Sequence, residues 1–195
     1  MISEDAVLSR DPVEEPGKTG SGIVVRRAVD READEVHRLV SESMETYRAL
    51  SGITEGLLES SSETVADTRV AMHEGVVLVA ADASMQIVGT VRLMTRRGKF
   101  FPDSAFFDRN GLSEDTPVLY FTRFAVRQEA RSKGIGSLLI AEGEKIAESK
   151  GIPAIFLHTA LNNESAVSYY KSRGFEIDSV DLSRGYPRGL FFKKV

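Results

Sequence analysis

The chain has no cysteine, no tryptophan and only three histidines among its 195 residues. The missing thiols exclude disulfides, thiolate nucleophiles and cysteine-based metal sites together, and His37, His73 and His158 are too scattered to form a ligand pair at useful spacing. No metal is therefore expected. Long apolar runs are lacking too: the longest, residues 75–81, is far too short to cross a bilayer, and residues 1–22 have neither the basic nor the apolar region of a signal peptide. A soluble, cytoplasmic protein with no membrane partner is the expectation. Nor is there a basic excess, because 25 Lys and Arg face 29 Asp and Glu for a net charge of -4. That balance excludes a general nucleic-acid binder, so any anion must be held by a local arrangement.

What is present suits one folded domain. At 42% hydrophobic residues the chain can bury a single core. Residues 1–22 mix Glu4, Asp5, Asp11, Glu14 and Glu15 with Pro and Gly and show no sustained period, which predicts a flexible acidic tail ahead of a domain at 23–195. Residues 23–26 read as a strand. Asp30 is expected to cap a helix whose buried face carries Val36, Leu39, Val40, Ser43, Met44 and Tyr47. Ser60-x-x-Glu63 has the form of a capping box opening a second helix that ends by Gly75.

Two β-rich runs at 76–81 and 87–94 then predict a hairpin. Residues 96–117 read as a loop holding Phe100, Phe101, Phe106 and Phe107, four of the ten Phe. A strand at 118–126, a helix at 134–149, a strand at 155–159, a short helix capped by Asn163 and strands at 175–180 and 190–194 follow. This mixed order argues against a doubly wound parallel sheet and for an α+β domain on one mixed central sheet flanked by helices.

The informative stretch is Arg131-x-x-Gly134-x-Gly136, which follows the strand ending Phe124-Ala125-Val126 and precedes the apolar stripe of Ile135, Leu138, Leu139 and Ile146. The glycines therefore fall in the first turn of a helix, where N–H groups lack helical acceptors and a phosphate can approach the backbone. Arg131 and Lys133 add charge. No Gly-x-x-x-x-Gly-Lys-Ser/Thr is present, and Leu139 stands where a dinucleotide fingerprint has its third glycine, so nucleoside triphosphates and nicotinamide cofactors are disfavoured. A tight turn with glycines for packing is the competing reading.

This motif resembles the acyl-CoA-binding motif of the GNAT superfamily of N-acetyltransferases. A second block, Asn163-x-x-Ala166-x-x-Tyr169-Tyr170-x-x-x-Gly174-Phe175, is similar to that family's downstream helix and turn. The resemblance covers about residues 23–195 and implies splayed strands at an acyl-CoA site. Acetyl-CoA would be the donor cosubstrate, its pyrophosphate on the amides of Arg131, Ser132, Lys133, Gly134, Ile135, Gly136 and Ser137. Its pantetheine arm would pair with Phe124, Ala125 and Val126. Asn163 and Tyr169 belong to the same implied binding set. A primary amine of a small-molecule acceptor would attack the thioester directly, with a backbone N–H near Phe124–Val126 meeting the oxyanion.

The resemblance makes Tyr170 the candidate acid for the leaving thiolate; packing beside Tyr169 is its structural alternative. Thr122 and Arg123 stand where many members carry a glutamate, so the base must lie elsewhere: His158, Glu74 or a water chain. Arg123 is a candidate partner for an acceptor carboxylate, or a member of a structural ion pair. Thr122-Arg123-Phe124 also faintly resembles relatives that take longer acyl chains from a carrier protein, with the Phe-rich loop as an acyl pocket or as ordinary packing. A catalytically silent acyl-CoA-binding module is a further alternative. Homodimers are common in the resembled family, and Leu190, Phe191 and Phe192 would either form an interface or complete the core.

Overall fold

A computed structural model describes residues 22–53 and 62–195. The expected acidic tail, apart from Gly22, and Ser60 of the expected capping box lie outside the described residues. The elements in chain order are β1 (Val24–Arg27), α1 (Ala33–Ser51), α2 (Val65–Glu74), β2 (Val76–Ala81), β3 (Ile87–Arg97) and α3 (Phe106–Arg109). Then come β4 (Pro117–Val126), α4 (Ile135–Ser149), β5 (Ala154–Ala160), α5 (Glu164–Ser172), β6 (Glu176–Asp181) and β7 (Arg188–Lys194). The strands form one sheet ordered β1-β2-β3-β4-β5-β7-β6, antiparallel except where β4 meets β5. The expected α+β architecture is the one observed.

Alternation along the strands divides the core between the two faces of the sheet. Every residue of β2 is buried, as a strand covered on both sides requires. On one face Leu78, Val91, Leu93 and Phe121 pack with Ile135 and Leu139 of α4. On the other face Val36, Leu39 and Val40 of α1 pack on Val77, Val79 and Ile87. Beyond β4 that second face is covered by the Phe-rich segment, where Phe101, Phe106 and Phe107 meet Phe156, Leu190 and Phe192. Burying each of these rings is worth about 1.5–3 kcal/mol, so the segment is a core lid for half of the sheet and not a loose loop. β7 lies inside the sheet with Leu190, Phe191 and Phe192 buried, which completes the core and removes the reading of these residues as an interface.

Two local expectations are corrected. Asp30 does not cap α1; it opens a 3-10 turn in which Glu32 accepts the Val29 N–H at 2.9 Å and pairs with Arg26 at 2.6 Å. The box that starts α2 is Thr64 with Asp67: the Thr64 N–H donates to Asp67 at 2.8 Å and the Asp67 N–H to Thr64 Oγ1 at 3.2 Å. That leaves Glu63 available for another use.

The site depends on two irregularities of β4. First, Thr90 pairs with Ala125 but Arg92 with Thr122, so β4 carries one extra residue, and Arg123 in this bulge has a φ of 52°. Phe121 and Phe124, three residues apart, thereby share the α4 face, while Arg123 is turned to the α1 face with Arg92. Second, β4 and β5 pair only from Leu119–Phe121 to Ile155–Leu157. Both strands run on, β4 paired with β3 up to Val126 and β5 with β7 up to Ala160, so the two diverge and leave an opening through the sheet.

Candidate active site

A cleft of about 1130 Å³ occupies this opening and joins the two faces of the sheet. At its first end lies the start of α4. Gly134 is the N-cap with a φ of 80°, and Ser132 two residues earlier has a φ of 62°. Alternation of left-handed and ordinary backbone turns successive N–H groups to one side, and the first-turn amides of Ile135, Gly136 and Ser137 add donors without helical acceptors. This end suits a phosphate group. A Cβ at Gly134 would meet nothing within 4 Å, so conformation and not crowding explains that glycine.

Around the cradle, Arg131 lines the cleft and donates from Nε to the Val126 carbonyl at 3.2 Å. Lys133 is exposed and is not among the lining residues. Arg173, absent from the sequence reading, supplies a second lining cation: it donates to Ser137 Oγ at 3.0 Å and stands 5.9 Å from the Tyr169 ring. It sits immediately before Gly174-Phe175 of the second motif block, which is the signal that would have found it.

The middle of the cleft is aromatic. Phe124, Tyr169 and Tyr170 are mutual neighbours, with Tyr169 and Tyr170 rings 5.5 Å apart. Burial, then the neighbouring Tyr169 and Tyr47 phenols, pushes the Tyr170 hydroxyl well above the usual phenol range, so it holds its proton at neutral pH. Tyr47 reaches over from α1, and its oxygen accepts the Ala160 N–H at 2.6 Å on the part of β5 that β4 has left. Asn163 lines the cleft, but its side chain is engaged in structure: Oδ1 accepts from Ala166 N–H at 3.1 Å and from Ser165 at 2.8 Å, and Nδ2 donates to Ser51 at 3.3 Å.

The far end lies on the α1 face. His158 Nδ1 and the Tyr120 hydroxyl are 2.9 Å apart, and Phe101 packs nearby with its ring 6.2 Å from the imidazole. Phe100 and Phe101 line this end, whereas Phe106 and Phe107 do not, so half of the expected aromatic lining belongs to the core. Glu74 is exposed at the end of α2 and outside the cleft lining, His37 is on α1, and His73 pairs with Asp30 at 2.9 Å.

Arg123 lines the same end, and its Nε donates to Glu63 Oε2 at 2.6 Å, while Arg92 takes the other carboxylate oxygen. Burial alone would push the Glu63 carboxyl up, but the hydrogen bonds and charges of Arg92 and Arg123 outweigh it and hold it below the ordinary carboxylate range. A carboxylate so held is a poor base. Among the described residues no group of His, Asp and Glu has the arrangement to hold a metal ion.

Comparison with known proteins gives this arrangement a family. The profile of the acetyltransferase (GNAT) family matches residues 36–175, more than half of the chain, and the chain belongs to that family. It is 37% identical over 73 residues to GCN5-related N-acetyltransferase 4, chloroplastic, of Arabidopsis thaliana, an alignment covering 37% of this chain and 25% of the relative. It is 35% identical over 75 residues to probable N-acetyltransferase san of Drosophila melanogaster, covering 38% of this chain and 40% of the relative. The chain thus spans between a quarter and two fifths of the length of these curated relatives. Among solved structures it shares its fold with the PaiA N-acetyltransferase of Thermoplasma acidophilum in complex with coenzyme A, at a TM-score of 0.69 and 21% identity over 89% of this chain and 99% of that one. Arabidopsis thaliana NAA60 in complex with a bisubstrate analogue gives a TM-score of 0.66 at 18% identity over 88% and 97%.

Proposed function

We propose that the chain transfers an acetyl group from acetyl-CoA to a primary amine of a small-molecule acceptor, by direct attack in a ternary complex. One observation carries this reading: the opening between β4 and β5 leads, within a single cleft, from the amides at the start of α4 past Tyr170 to the Tyr120–His158 pair. The amides of residues 131–137, with Arg131 and Arg173, bind the pyrophosphate. The backbone of Phe124–Val126, left unpaired by β5, binds the pantetheine arm as an added strand would. Acetyl-CoA supplies an activated thioester.

The remaining steps fall to side chains and backbone of this chain. A backbone N–H near the bulge receives the charge that develops on the carbonyl oxygen. Tyr170 is partly buried in the cleft wall, and the desolvation of its phenol keeps it protonated to donate to the departing sulfur. His158, held by the contact of its Nδ1 with the Tyr120 hydroxyl, accepts a proton from the amine. The packing of Phe106 and Phe107 into the core favours acetyl over a long acyl chain.

Thiol release from acetyl-CoA tests the reading against a panel of small amines and, because one relative is named N-alpha-acetyltransferase 60, against peptides with free N-termini. Release that requires a small amine supports it. Release with peptides alone assigns the acceptor to proteins, and failure to bind coenzyme A in calorimetry defeats the acyltransferase reading itself. The reading carries a cytoplasmic location.

A further inference from the structure

Two guanidinium groups share one carboxylate at the acceptor end of the cleft. Glu63 gives one oxygen to Arg92 and the other to Arg123 Nε, and no other carboxylate among the described residues pairs with either arginine. The three side chains are 9–23% exposed, so two guanidinium charges share one carboxylate at pairing distance in a place largely removed from water, with the exposed Asp67 acting on Arg92 only from further off. An unbalanced buried charge is costly unless an anion joins it. Arg92 Nε is buried without a hydrogen-bond acceptor, and the Arg123 Nη donors have no acceptor among the described residues.

Position matches this electrostatic demand. Arg92 and Arg123 line the cleft on the α1 face, the side that also holds Tyr120 and His158, and away from the phosphate cradle beside α4. With Nε engaged by Glu63, the guanidinium plane of Arg123 is fixed while its two Nη groups stay available, which is the geometry that receives a carboxylate through two parallel hydrogen bonds. The bulge serves the same end, since without the extra residue in β4 the alternation would turn Arg123 to the other face.

We infer that the acceptor carries a carboxylate beside its amine, and that Arg123, held by Glu63 with Arg92 behind it, binds that carboxylate. The inference rests on the proposed acetyl transfer and narrows its substrate class to amino acids and similar zwitterions.

The test compares L-amino acids with their carboxamides, which keep the amine and lose the anion. In the wild-type chain kcat/KM is expected to favour the acids by about 10–100-fold, as charge-assisted hydrogen bonds imply. Arg123→Gln and Arg92→Gln should each pull this ratio toward one. Because both substrates share the reaction site, general damage to the fold cancels in the ratio, and Arg123→Lys should restore part of it. Equal rates for acids and amides in the wild type, or a ratio that survives both glutamine variants, overturns the inference while leaving acetyl transfer intact. A second measurement needs no turnover: calorimetric binding of N-acetyl amino acids and their N-acetyl amides to the coenzyme A-loaded chain. Tighter binding of the acids that Arg123→Gln abolishes supports the carboxylate site even for a catalytically silent chain, and equal or absent binding of both overturns it.

Discussion

The Tyr169 hydroxyl occupies the space that a side chain at Gly136 would need. A Cβ placed there collides with the phenol, and Phe124 stands 3.4 Å from the same point. The helices α4 and α5 therefore meet closely because residue 136 is glycine, a packing requirement distinct from the backbone requirement at Gly134. Gly136→Ala is expected to destabilise the domain by about 1–3 kcal/mol, as overpacking does, and to weaken coenzyme A binding through the displaced first turn of α4. Tyr169→Phe removes the colliding oxygen and should recover part of that loss. Urea midpoints of the two single variants and the double variant check the coupling, and strict additivity would show that the contact is not responsible.

Tyr170→Phe tests the proposed acid. Loss of the donated proton should lower kcat by about 10²–10⁴-fold while leaving the KM for acetyl-CoA within a few-fold. Because burial raises the phenol above its usual value, the group stays protonated through neutral and mildly alkaline pH. Any alkaline fall in kcat below about pH 10 should therefore persist in Tyr170→Phe. An alkaline limb near pH 8 that vanishes in the variant would contradict the assignment.

Much of the fold was legible because its signals are local. The order of strands and helices follows from apolar period, and the cradle from two glycines and an arginine within six residues. What escaped was pairing over distance. Glu63 satisfies a local capping pattern with Ser60, yet Thr64 and Asp67 offer the same pattern one turn later, and Glu63 goes instead to Arg92, 29 residues on, and Arg123, 60 residues on. Tyr120 and His158 are 38 residues apart and become partners only because β4 and β5 are parallel neighbours. Tyr47 looks like part of a buried helix face, whereas the splay in the sheet turns it into a cleft residue that satisfies a strand N–H. The Phe-rich segment was ambiguous for a similar reason: its role depends on which half of a sheet face α1 leaves uncovered.

The 2.9 Å contact between Tyr120 and His158 predicts unequal effects on the two sides of the pair. His158→Gln removes the proposed base and should reduce kcat/KM for the amine by about 10²-fold or more at neutral pH. Tyr120→Phe keeps the ring and removes the hydroxyl that holds the imidazole, and a loss of about 3–30-fold is expected, as for one net hydrogen bond. If His158→Gln keeps nearly full activity across pH 6–9, the amine reaches the site already deprotonated and the histidine has a packing role.

Glu63 makes the stability of the domain depend on acid. Its carboxyl lies below the ordinary range in the folded chain, because Arg92 and Arg123 outweigh the opposing effect of burial. The folded state then binds fewer protons than the unfolded chain in the window below an ordinary glutamate value of about 4.3, so the stabilisation is complete above that pH and fades as pH falls through the folded value. Glu63→Gln removes the share of this dependence that Glu63 contributes, while Glu32, Asp67, Asp82 and Asp181, also held low, keep theirs. At pH 7 the variant should be less stable than the wild type by about 1–3 kcal/mol, since it leaves Arg92 and Arg123 without a charged acceptor. As pH falls below about 4.3 the two should converge as the wild type loses the same interaction. Chemical denaturation at a series of pH values measures both the gap and its closure, and a gap that stays constant down to pH 3 would show that the arginines do not hold the Glu63 charge.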